Sequence, residues 1–119
     1  MIEKIKARCQ PIAMIRGTTD SFPLTLTDAD GELYTLKDGE KLICGIKETV
    51  LDEEPILTKE LVLEEGVYLL KFAPSDTAPL TPGLHHYDIN MISGSDFINV
   101  IPLSNFDIIP SGSKWSDGA

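Results

Sequence analysis

Hydrophobic and polar residues alternate with period two along most of this chain, which predicts strands rather than helices. Ser21-Phe-Pro-Leu-Thr-Leu-Thr27 puts Phe22, Leu24 and Leu26 on one face and Pro23, Thr25 and Thr27 on the other. Pro23 has no amide proton to give a ladder, so this strand is expected at a sheet edge. Asp28-Ala-Asp-Gly31 signals a turn, Glu32 to Leu36 a short strand, and Lys37-Asp-Gly-Glu40 another reversal. Lys41 to Val50 follows as a strand with Leu42, Cys44 and Ile46 inward. Beyond the acidic loop Leu51-Asp-Glu-Glu-Pro55, Ile56 to Leu63 and Val67 to Phe72 read as a hairpin across Glu64-Glu65-Gly66. Tyr68, Leu70 and Phe72 share one face of its second arm. A helix over Thr58 to Glu65 is the alternative there, and the β-branched residues and the Gly66 turn favour the strand.

The segment Phe72-Ala-Pro-Ser-Asp-Thr-Ala-Pro-Leu-Thr-Pro-Gly83 ends one strand, reverses the chain and releases it into the next. Leu84 to Ile92 carries Tyr87, Ile89 and Met91 inward and His86, Asp88 and Asn90 outward. Ser93-Gly-Ser-Asp96 turns into Phe97 to Ile101, and the last strand continues from Leu103 to Ile109. Short strands separated by a turn about every ten residues predict an all-β, immunoglobulin-like antiparallel β-sandwich of about seven to nine strands. Asp76, Thr77, Gly83 and Tyr87 are the candidate structural corner between its sheets. Tyr87 invites comparison with the tyrosine of immunoglobulin-like sandwiches whose hydroxyl bonds nearby backbone. The antibody hallmarks are absent, since no Trp sits on a middle strand and Cys9 and Cys44 are not placed as an inter-sheet pair.

Length fits one domain, residues 1–109, followed by a flexible polar tail over residues 110–119. Its lone Trp115 is either solvated or a candidate interface anchor, because Trp is enriched at binding hot spots. The formal net charge of −9 disfavours nucleic acid, whose phosphates are bound by Lys and Arg clusters. It equally disfavours an anionic membrane surface, and no apolar run is long enough to span a bilayer. Acidic residues crowd between Glu48 and Glu65, as a solvated face or as a footprint for a basic partner. Met1-Ile-Glu-Lys-Ile-Lys-Ala-Arg8 has charges where a signal peptide needs an apolar run. Cys9 and Cys44 are expected as free thiols, Cys44 as a small core residue, and synthesis in a cytoplasm fits both.

No chemistry is assigned by the remaining motifs. Asp28-Ala-Asp-Gly-Glu32 has the opening of a calcium loop, but Lys37 stands where the bidentate Glu belongs, so a turn is the better reading. His85 and His86 point to opposite faces of one strand and cannot jointly hold a metal, while His86 and Asp88 share a face as a solvated pair. The serines at 21, 75, 93 and 95 sit in turns, with no G-x-S-x-G elbow and no Gly-rich phosphate loop. The chain is therefore expected not to be an enzyme and to need no cofactor.

The order of segments is more specific than any one of them. Arg16-Gly-Thr-Thr-Asp-Ser-Phe-Pro-Leu-Thr-Leu26 is followed by Asp30-Gly31 and by Gly45-Ile-Lys-Glu48. Ile56-Leu-Thr-Lys59, Phe72-Ala-Pro-Ser-Asp-Thr77, Gly83, Tyr87-Asp-Ile89, Ile98-Asn-Val-Ile101 and Phe106-Asp-Ile108 complete it. Over roughly residues 10–109 this resembles the small β-sandwich proteins of tailed phages and prophages of Gram-positive bacteria. It is similar in particular to the N-terminal domain of baseplate upper proteins. The resemblance implies a virion component of the phage tail or baseplate, made in the bacterial cytoplasm. Its partners would be other phage tail or baseplate proteins, with a homo-oligomer among the expected assemblies. The chain is expected to lack the long C-terminal extension of full baseplate proteins. The rival reading is a carbohydrate- or calcium-binding accessory domain of a cell-surface protein, which would want an exposed aromatic platform at Tyr34 or Trp115.

Overall fold

A computed structural model describes residues 6–7 and 10–111, and the fold is an all-β sandwich. One layer is a five-stranded sheet in the order β2-β10-β9-β5-β6. Its strands are β2 (Ile12–Ile15), β5 (Glu40–Lys47), β6 (Leu57–Glu60), β9 (Gly83–Ser93) and β10 (Asp96–Ile109). The facing layer is β3-β8-β7, made of β3 (Asp20–Leu24), β7 (Val62–Glu64) and β8 (Val67–Phe72). Next to β3 in sequence, β4 (Leu26–Thr27) pairs with β1 (Lys6–Ala7) as a short ladder. One helical turn, α1 (Pro74–Thr77), lies between β8 and β9.

The period-two pattern decides which side chains meet between the layers. Leu42, Cys44 and Ile46 of β5, with Tyr87, Ile89 and Met91 of β9, face Leu24 of β3 and Tyr68, Leu70 and Phe72 of β8, all buried. Four rings continue the contact across the core: Phe22 to Phe72 at 6.1 Å, Phe72 to Phe106 at 5.6 Å, and Phe106 to Tyr87 at 6.2 Å between centroids. Edge-to-face and tilted geometries of this kind add about 0.5–1.5 kcal/mol per pair beyond area burial. Cys44 is fully buried, and that burial, helped by the Asp88 carboxylate, pushes its thiol pKa up to about 12. The thiol is therefore protonated at neutral pH. Cys9 lies outside the described residues.

Several sequence expectations hold in detail. β3, with Pro23, pairs only with β8 and is an edge of its sheet. Gly31 takes φ +82° and closes its turn by donating its amide proton to the Asp28 carbonyl at 3.0 Å. The Asp28 carboxylate accepts from the amides of Asp30 and Glu32, so it caps that turn. The hairpin over Glu65 and Gly66 forms, with Val62 opposite Leu69. His85 is buried on the Tyr87 side while His86 faces the other way and is half-buried.

Other expectations are corrected. The sandwich is not wholly antiparallel, because β2 runs parallel to β10, with Phe106 opposite Ile12 and Ile109 opposite Ile15. The chain leaves β2 through the Arg16–Gly17 turn directly into the other sheet, so no hairpin partner is beside it. Glu32 to Leu36 forms no strand, only a bridge from Leu33 to Thr27. Its neighbourhood is tied instead by Tyr34 to the Leu26 carbonyl and by the Tyr68 hydroxyl accepting from the Leu36 amide. The expected strand Ile56 to Leu63 breaks at Leu61, whose amide makes a bond to the Leu42 carbonyl at 3.0 Å before the chain crosses layers. Burial of the Leu61 side chain in the core drives that crossing. Asn90 points outward as expected but is 8% exposed rather than solvated. β10 absorbs two register shifts, between Asn99 and Ile101 and between Ile101 and Ser104, which turn both Val100 and Ile101 inward and seat Pro102 off the regular ladder.

Tyr87 supplies the sandwich with a bond that runs from β9 back to the segment before β2. Its hydroxyl donates to the Gln10 carbonyl at 2.6 Å, 77 residues away in sequence rather than nearby. Because Gln10 is exposed, water can replace the lost donor, so Tyr87→Phe should cost only about 0.5–1.5 kcal/mol. Urea unfolding measures it, and an unchanged midpoint would remove Tyr87 from the corner.

Candidate functional site

Of the residues expected at the corner, Asp76 and Thr77 meet partners that the sequence did not reveal, whereas Gly83 opens β9 and the Tyr87 hydroxyl goes to Gln10 instead. Pro74 starts α1, where its fixed φ suits the first helical position and its missing amide proton is not needed. Asp76 then folds back on the start of the turn. Its carboxylate accepts from the Ala73 amide at 2.7 Å, and its own amide donates to the Ala73 carbonyl at 3.0 Å. The same carboxylate oxygen receives the Lys59 ammonium at 2.9 Å, which ties β6 to the corner. Desolvation alone would raise the Asp76 pKa. The Ala73 amide and the Lys59 charge outweigh it and hold the carboxyl below its ordinary 3.8.

Thr77 is fully buried, and its hydroxyl accepts the Gly17 amide at 2.8 Å. Arg16 reaches over the same turn, donating from Nε to the Leu80 carbonyl at 2.9 Å and from Nη2 to the Ala78 carbonyl. These carbonyls follow the helical turn, where they have no ladder partner, so the guanidinium fork satisfies both. Gly17 takes φ +74° and Gly83 φ +130°, backbone conformations that a side chain would strain. The Arg16 amide also donates to the Ile109 carbonyl at 2.9 Å, which joins the clasp to the parallel β2–β10 ladder. The corner is thus held by three distant segments: residues 16–17, Lys59 and the end of β10.

The sequence singled out Asp76 and Thr77 but gave their partners Arg16, Gly17 and Lys59 no physical role. Arg16 is one of only two arginines in the chain and precedes a Gly-Thr-Thr turn, which was the available signal. Nothing local marks Lys59. Beside the clasp a shallow groove is lined by Thr19, Asp20, Ser21, Lys59, Lys71 and Phe72, with Lys71 paired to Glu64 on its far rim. Tyr34 is not the open platform a sugar-binding reading wanted. It is half-buried, its hydroxyl donates to Glu40 at 2.7 Å, and the Lys37 ammonium lies 5.8 Å from its ring centre. Trp115 and residues 112–119 of the expected tail lie outside the described residues.

No family model matches the chain, and no curated protein matches it. Among solved structures it is similar to the X-ray structure of the endo-beta-1,4-mannanase from Thermotoga petrophila, with a TM-score of 0.52 and 9% identity. The match covers 93% of this chain and 20% of the mannanase chain, so the chain spans about a fifth of that protein's length. The likeness is one of fold.

Two substitutions separate the parts of the clasp. Thr77→Val keeps the shape but leaves the Gly17 amide without its acceptor, and should cost about 1–3 kcal/mol in urea unfolding. A variant as stable as the native chain would show that the amide has another partner. Asp76 contributes stability above its unfolded pKa, which is lost as pH falls through the lower folded value. Asp76→Asn should therefore be destabilised at neutral pH, with the gap closing below about pH 4. A gap that stays constant on acidification would show that the carboxylate charge contributes nothing.

Proposed function

We propose that this chain is a non-enzymatic structural module of a phage or prophage tail or baseplate, working through protein–protein contacts. The observation that carries this reading is where the resembling segments meet. Arg16-Gly17 clasps Thr77, Ala78 and Leu80, and Lys59 pairs with Asp76. Phe72 and Tyr87 pack on either side of Phe106. Segments scattered through the sequence thus form one physical unit, and what they hold is a scaffold. Such a scaffold presents edges and loops for contact. β7 is an edge strand with all three residues exposed, including Val62 and Leu63, and edge strands can pair with another chain. Ring-forming assemblies of such modules use head-to-tail contacts that close.

Mass spectrometry of gradient-purified tail particles from a strain carrying the gene tests the reading. The chain is expected in the particles at a stoichiometry comparable to other tail proteins, with tail, tape-measure or holin genes as neighbours. Its absence from the particles while it accumulates free in the cytosol would overturn the proposal.

A further inference from the structure

We propose a binding site for a neutral saccharide chain on the outer face of the five-stranded sheet, at the β9–β10 hairpin. The proposal is independent of the tail reading and rests on side chains of that face alone. Strand pairing sets Phe97 opposite Ile92, with Lys41 beyond it on β5. The next outward row is Asn99 opposite Asn90, with Ile43 beyond it. Two residues along a strand separate the rows by about 7 Å.

Phe97 is the only ring of the core-forming sheets turned to solvent among the described residues, at 69% exposure. Phe97 thus supplies the apolar anchor of the proposed site, open from the solvent side. The amide pair beside it is oriented. Asn99 Nδ2 donates to Asn90 Oδ1 at 2.8 Å and to the Ile101 carbonyl at 3.1 Å. A backbone carbonyl can only accept, so the Ile101 contact identifies the Asn99 nitrogen and leaves its Oδ1 as an acceptor. Asn90 in turn keeps its amide protons to donate, from a side chain that is more than nine-tenths buried. The bulge after Asn99 supplies the Ile101 carbonyl that locks the pair, so the polar groups are held before any ligand arrives.

A pyranose matches this arrangement. Its axial C–H face is apolar and stacks on an aromatic ring, and its hydroxyls both donate and accept. Here an apolar anchor stands beside one oriented donor and one oriented acceptor. The chain's net charge of −9 argues for a neutral sugar over an acidic one.

Affinity electrophoresis of the full chain in gels containing galactomannan, β-glucan or dextran tests the site. At least one polysaccharide should retard the native protein, and Phe97→Ala and Asn99→Ala should each weaken that retardation at least tenfold. Phe97 is exposed, so its variant should keep the native unfolding midpoint, which circular dichroism checks. No retardation in any of the gels would overturn the proposal, and so would undiminished retardation of the folded Phe97→Ala variant. Neither result bears on whether the chain is found in tail particles.

Discussion

The hydrogen bond from the Gly17 amide to the Thr77 hydroxyl joins parts of the chain 60 residues apart, and the rest of the corner is organised around it. Gly17 is where the chain leaves one sheet for the other, and Thr77 ends the helical turn that carries it back. If the two turns were free to move, Arg16 could not hold the Ala78 and Leu80 carbonyls together. Those carbonyls would then have to turn to water for their hydrogen bonds. The bond thus fixes the relative position of both sheet crossings. The Arg16 amide passes the constraint on to Ile109 and so to the parallel ladder of β2 and β10.

The aromatic contacts work with the clasp rather than beside it. Phe72 is the last residue of β8, and it packs on Phe22 of its own sheet and on Phe106 of the other. Anchoring Phe72 in the core places Asp76 where Lys59 can reach it. Packing therefore sets the position of the corner, and polar bonds set its direction. The core alone would leave the exit angle of α1 undetermined, since hydrophobic burial is non-directional.

The division between scaffold and surface has a functional consequence. The corner spends its polar groups internally: Asp76 on Ala73 and Lys59, Thr77 on Gly17, Arg16 on two carbonyls. Groups committed in this way hold loops and edges for others to contact. The outward row of Phe97, Asn99 and Asn90 is different, because its ring is exposed and its amide pair is bonded within the row and to the bulge beside it.

The strands, their inward residues and most turns were legible in the sequence, because alternation and turn chemistry act between near neighbours. Leu42, Cys44 and Ile46 inward, Pro23 at an edge and Gly31 at a left-handed turn position all follow from local rules. Asp76 and Thr77 could be picked out beside a chain reversal for the same reason. Their partners could not. Lys59 looks like any solvated strand lysine, and nothing around Arg16 says that it spans residues 78–80. Only the tertiary structure decided the parallel β2–β10 pairing, the break at Leu61 and the dissolution of the Glu32–Leu36 strand. Each depends on which distant backbone offers a free hydrogen-bond partner or a vacant place in the core, and neither is a property of the residues nearby.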